Sequence, residues 1–138
     1  MSLHLNHLIW LIIDDDIDDQ EIFTLSVRKV DPAITCTFAS DGVDAIEKLQ
    51  DIQFTPGCIF LDVNMPRMNG IECLEELSKM GRLSSVPVFM CSTSADPKII
   101  AKAKELGVTD FIVKPSTIAE FTAILRRVKE DLAGGRQY

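Results

Sequence analysis

The chain has 138 residues, with 14 Lys or Arg against 21 Asp or Glu, for a formal net charge of −7. That length fits one compact unit, and 46% hydrophobic with 25% charged residues gives enough apolar mass for a core, which excludes a disordered chain. The longest apolar run, Leu8 to Ile13, is far short of the ~18 residues of a membrane span. The acidic balance argues against a basic face for nucleic-acid phosphates, so neither membrane insertion nor direct nucleic-acid binding is expected.

Cys36, Cys58, Cys73 and Cys91 form no C-x-x-C pair. They read as free thiols acting as small hydrophobes in a cytoplasmic protein, not as disulfides or zinc ligands. His4 and His7 form an H-x-x-H near the amino terminus, which reads as part of a flexible leader over residues 1–7.

From there the chain alternates. Leu8–Ile13 is apolar throughout and predicts a strand buried on both faces. Ile17 to about Val30 predicts a helix opened by Asp16 and Asp19 as a capping-box-like pair. Ile34, Cys36 and Phe38 alternate with Thr35, Thr37 and Ala39 as a second strand. Asp41 can cap a short helix carrying Ala45, Ile46 and Leu49, and Cys58–Leu61 is a third strand. Asn69 and Glu72 open a helix bearing Ile71, Leu74 and Leu77, with Gly81 placed to end it. Val88–Cys91 is a fourth strand. Asp96 caps a helix with Pro97 at its first position, closed by Gly107 after Leu106. Phe111–Val113 is the fifth strand. Thr117 and Glu120 open a last helix whose Ile118, Phe121, Leu125, Val128 and Leu132 form one apolar stripe.

Five strands alternating with five helices predict an α/β fold, a doubly wound parallel sheet of the flavodoxin-like order 2-1-3-4-5. Such sheets bind ligands beyond the carboxyl ends of their strands. The first strand runs into Asp14, Asp15 and Asp16, the third into Asp62, the fourth into Ser92 and the fifth into Lys114. With the first and third strands adjacent, Asp14, Asp15 and Asp62 converge. Clustered carboxylates repel one another, and a hard divalent cation such as Mg²⁺ relieves that repulsion. With a lysine and a hydroxyl beside them, the chemistry that fits is phosphoryl transfer onto or through a carboxylate.

These residues resemble a response-regulator receiver domain of the chemotaxis type. The resemblance rests on Ile12-Ile13-Asp14-Asp15, on Leu61-Asp62-Val63-Asn64-Met65-Pro66-Arg67-Met68-Asn69-Gly70, on Ser92, and on Lys114-Pro115, which follow in that order. It covers residues 8–132, with 133–138 as a carboxy-terminal tail. It implies that Asp62 is the phosphoacceptor, and that Asp15, Asp62 and the backbone carbonyl of Asn64 hold Mg²⁺, or Mn²⁺ as a substitute. Asp14 is then expected to act through metal-bound water. Ser92 and Lys114 are expected to contact the phosphoryl group, Phe111 to be the aromatic switch, and the Lys114–Pro115 bond to be cis.

Small departures are Ser92 in place of the commoner Thr, Thr93 where Ala is frequent, and Phe111 without the hydroxyl of a Tyr. The implied protein is a two-component response regulator. It is phosphorylated by a sensor histidine kinase or a histidine phosphotransfer protein, and it signals to an unknown downstream partner. It is expected to be no dedicated enzyme, though capable of Mg²⁺-dependent self-phosphorylation and autodephosphorylation. Only Ala-Gly-Gly-Arg-Gln-Tyr follows Leu132, which leads to the expectation of a stand-alone receiver.

Other readings compete. Asp14, Asp16 and Asp18 have the spacing of a calcium loop, but Asp19 stands where that loop needs Gly and Leu25 where it needs Glu. A haloacid-dehalogenase-like phosphatase would use Asp14 and Asp16, yet it needs a later acidic pair at a strand end that is missing here. A receiver-like interaction module that is never phosphorylated is the third alternative. Asp16, Asp18 and Asp19 read most simply as acids at a helix start.

Overall fold

The computed structural model describes residues 6–134. Its elements run β1 (Asn6–Ile13), α1 (Ile17–Val30), β2 (Thr35–Ala39), α2 (Gly42–Leu49), β3 (Pro56–Asp62) and α3 (Gly70–Ser78). They continue with a 3-10 turn (Gly81–Leu83), β4 (Val88–Ser92), α4 (Pro97–Glu105), β5 (Asp110–Val113) and α5 (Ile118–Ala133). The strands are all parallel in the order β2-β1-β3-β4-β5, as expected.

Period-two alternation divides the core into two layers. Trp10, Ile12, Cys58, Phe60, Phe89, Cys91 and Ile112 pack with Phe23 and Val27 of α1 and with Phe121, Leu125 and Val128 of α5. Leu11, Ile13, Ile59, Leu61 and Met90 point the other way, toward Leu49 of α2, Leu74 and Leu77 of α3 and Ala103 of α4. The first layer is aromatic: Phe60 lies 5.4 Å from Trp10, 5.4 Å from Phe23 and 5.2 Å from Phe89 between ring centroids.

The caps at Asp41, Asn69, Asp96 and Thr117 form as expected, with a full capping box at Asn69 and Glu72. Three local expectations are corrected. Strand β1 begins at Asn6, inside the expected leader, because the amide of Asn6 bonds to the Thr55 carbonyl at 3.0 Å. His4 lies outside the described residues. Gly81 does not end α3; Lys79 caps it, and Gly81 opens the 3-10 turn. Asp16 caps α1 alone, accepting from the amides of Asp18 and Asp19, while the Asp19 carboxylate turns elsewhere.

The loop after β3 is drawn tight against its own strand. The amide of Gly70 donates to the Val63 carbonyl at 2.8 Å. A Cβ there would lie 2.5 Å from the Asp62 carbonyl oxygen and 2.8 Å from the Val63 Cα. Both obstacles are backbone, so Gly70→Ala is expected to destabilise the fold by about 1–3 kcal/mol in urea denaturation. Gly81→Ala, which meets nothing within 4 Å, is expected to change stability by less than about 0.5 kcal/mol. Equal stability of the two variants would contradict the close approach.

Candidate functional site

The same alternation that builds the aromatic layer aims three polar residues toward α1. Asp14 follows Ile12, Asp62 follows Phe60 and Lys114 follows Ile112, each two residues further along its strand. Strands β1 and β3 are neighbours with Ile13 opposite Leu61, so Asp14 emerges beside Asp62. The amide of Lys114 donates to the Ser92 carbonyl at 2.7 Å, which continues the β4–β5 ladder past β5.

Carboxylate oxygens of Asp14, Asp15 and Asp62 lie within 4.8 Å of one another. Lys114 Nζ donates to Asp14 Oδ2 at 3.1 Å, to Asp62 Oδ1 at 2.9 Å and to Asp19 Oδ2 at 2.8 Å. Asp14 is buried, Asp62 and Lys114 are largely covered, and Asp15 is exposed. The structure therefore brings together Asp14, Asp15, Asp62 and Lys114, as expected. It adds Asp19 to them.

Electrostatics follow from that crowding. Burial pushes the Asp14 carboxyl up to about 6 against the amide of Asp16 and the charge of Lys114, which lower it, while the charge of Asp62 adds to the rise. Burial likewise raises Asp62; Lys114 opposes the rise, and the charges of Asp19 and Asp15 add to it. Burial alone would lower the Lys114 ammonium, but Asp19, Asp14 and Asp62 outweigh it and hold it well above the ordinary lysine range. Three hard oxygen donors that repel one another in a small space are the donor set a divalent cation such as Mg²⁺ prefers.

The remaining expected residues lie around this cluster. Ser92 ends β4, buried, and its Oγ accepts from the Ser94 amide at 3.2 Å. Phe111 on β5 is half-buried against the layer beneath α3 and α4 and sits opposite Met90 on β4. Asn64 is exposed two residues beyond Asp62. The expected cis bond at Lys114–Pro115 is corrected: no peptide bond among the described residues is cis. Trans is the default even before proline, by about 0.5–1 kcal/mol. A cleft of about 140 Å³ opens behind Lys114, lined by Asp19, Phe23, Thr93, Pro115, Thr117 and Phe121 among others.

Two residues at or beside the site escaped the sequence reading. Asp19 sits at the helix start, yet its carboxylate is the third partner of Lys114. Its signal is an Asp at the third helical position, where a reciprocal capping box uses the longer Glu or Gln. Arg67, in the loop after β3, adopts φ 63° and its Nε donates to the buried Asp41 Oδ2 at 2.7 Å. That bond is the main reason the Asp41 carboxyl sits below the usual range. Asp16, by contrast, directs its carboxylate to the helix cap and lies outside the Asp14–Asp15–Asp62 cluster.

Comparison with known proteins agrees with this geometry. The family model described as the response regulator receiver domain matches residues 10–126. The chain is 43% identical over 81 residues to the regulator of RpoS of Escherichia coli, covering 59% of this chain and 23% of that protein. It is 34% identical over 125 residues to a protein-glutamate methylesterase/protein-glutamine glutaminase of Pyrococcus abyssi, covering 88% of this chain and 32% of that one. The chain thus spans less than a third of these two curated relatives. Among solved structures, the chemotaxis protein CheY4 of Vibrio cholerae superposes with a TM-score of 0.76 at 26% identity, covering 88% of this chain and 98% of that one. The phosphorylated cyanobacterial phytochrome response regulator RcpA, at 22% identity, shares the fold with a TM-score of 0.85, covering 95% of this chain and 97% of that one.

The raised carboxyl of Asp14 makes a pH prediction for the metal-free protein. Its folded value of about 6 lies above the ordinary 3.8, so its contribution to stability is complete below pH 3.8 and is lost as pH rises through about 6. Asp41 and Asp44, held low chiefly by Arg67 and Lys48, titrate below that window. Asp14→Asn is therefore expected to stabilise the chelator-treated protein at pH 7 by about 1–3 kcal/mol and to flatten the decline between pH 4 and 7. Urea denaturation across that range checks it, and a variant no more stable than wild type at pH 7 would contradict it.

Proposed function

Since the chain belongs to the response regulator receiver family, we propose that it acts as a two-component response regulator with Asp62 as its phosphoacceptor. The observation that carries the reading is the Lys114 ammonium bonded to both Asp62 and Asp14, with Asp15 in the same carboxylate cluster. A carboxylate oxygen of Asp62 attacks phosphorus as the bond to the donor's imidazole nitrogen breaks. The electron pair stays on that nitrogen, and an acyl phosphate forms. Lys114 then pairs with a phosphoryl oxygen, and the hydroxyl of Ser92 donates to another. Phe111 follows the Ser92 loop inward, which biases the molecule between two partner-binding states.

Asp15, Asp62 and the carbonyl of Asn64 would hold Mg²⁺, with Asp14 acting through bound water and Mn²⁺ as a substitute. When bound, the cation offsets the negative charge gathered on the transferring oxygens. The donor is a sensor histidine kinase or a histidine phosphotransfer protein, the setting is the cytoplasm, and the output is altered affinity for a protein partner. The chain is a phosphoacceptor rather than a dedicated enzyme.

Borohydride reduction of the phosphorylated protein followed by peptide mapping tests the assignment. Homoserine at position 62 is the expected product; homoserine at position 14 or 15 would contradict it. Lys114→Ala is expected to keep Mg²⁺ affinity within about threefold in calorimetry, since the lysine is no ligand, and to lose the partner response to phosphorylation. An unchanged response would remove Lys114 from the switch.

A further inference from the structure

Phosphoryl transfer to Asp62 calls for a cation beside it, but not for a carboxylate on α1. Asp19 nevertheless binds Lys114 at 2.8 Å, and it lies outside the Asp14–Asp15–Asp62 cluster. An ammonium has three N–H donors, and here each meets a different carboxylate, Asp14, Asp19 or Asp62. The resting lysine is fully committed.

A phosphoryl group on Asp62 brings new oxygen acceptors and more negative charge, so Lys114 can reach it only by giving up a bond. Asp62 carries the incoming group and stays beside the lysine, so the choice lies between Asp14 and Asp19, which differ in what release costs. Asp14 has a side chain 2% exposed, and it also accepts from the Asp16 amide at 3.0 Å. Losing the lysine would leave a buried carboxylate unpaired. The Asp19 side chain is 32% exposed and can turn to water.

We propose that Asp19 is a positioning residue for Lys114, holding the ammonium in the resting protein and competing with the phosphoryl group for it. Its release on phosphorylation breaks the ion pair that ties the first turn of α1 to the end of β5. Asp19 thereby sets how strongly the site favours its phosphorylated form. The inference rests on the phosphoacceptor reading of Asp62.

The test uses the full chain as wild type, Asp19→Asn and Asp19→Glu, titrated with beryllium fluoride as a phosphoryl mimic at saturating Mg²⁺ and followed by amide NMR. Asp19→Asn is expected to bind the mimic about three- to tenfold more tightly, the scale of one partly exposed ion pair. Asp19→Glu, which restores the charge, is expected to return within about twofold of wild type. Equal affinity of wild type and Asp19→Asn would overturn the proposal, as a mere helix-start acid predicts. Weaker binding by Asp19→Asn would also overturn it, because Asp19 would then support the bound state. Should Asp19→Asn fail to fold, Asp19→Gln carries the same expectation. A wild type that binds no mimic would overturn the phosphoacceptor reading itself.

Discussion

Three carboxylates, those of Asp14, Asp19 and Asp62, bond to the ammonium of Lys114 at one edge of the sheet, and Asp15 joins Asp14 and Asp62 in one cluster. Charges of one sign at such distances repel where water is scarce, and on Asp14 the charge of Asp62 adds to the larger effect of burial in raising its carboxyl. Asp14 and Asp62 stay together because they follow neighbouring paired strands. β1 and β3 are paired in register up to Ile13 and Leu61, and Lys114 is held through its backbone to Ser92. The sheet thus keeps a site that is poorly satisfied alone and better satisfied by added positive charge.

The two-layer core explains how the site couples to the rest of the molecule. Asp14, Asp62 and Lys114 extend the face that carries Trp10, Phe60 and Ile112, over which α1 and α5 pack. Phe111 belongs to the opposite face with Met90, beneath α3 and α4. The carboxylate cluster on one side of the sheet and Phe111 on the other are therefore joined through the β4 and β5 ends, where Ser92 and Lys114 meet backbone to backbone. On the α1 side, Asp19 makes the helix answerable to the same lysine.

Most of the fold was legible because its signals are local: apolar strands, caps at Asp41, Asn69, Asp96 and Thr117, and Gly107 in the left-handed region at φ 90°. The convergence of Asp14, Asp15, Asp62 and Lys114 was legible too, since strand ends meet once strand order is known. What escaped depends on side chains that choose among several partners. Asp19 had a plausible local role and took a distant one. Arg67 reaches 26 positions back to Asp41, and Arg82 closes the carbonyl end of α2 by donating to the carbonyls of Leu49, Asp51 and Phe54. No periodicity encodes such contacts. The expected cis bond before Pro115 came from resemblance alone, and the trans form found there is the ordinary one.

The most direct test is the intact mass of the protein after incubation with acetyl phosphate, with and without Mg²⁺, for wild type and Asp62→Asn. The account predicts one added phosphoryl group on the wild type, dependent on Mg²⁺ and absent from the variant. An adduct of the same extent on Asp62→Asn, or one formed equally well in chelator, would contradict it.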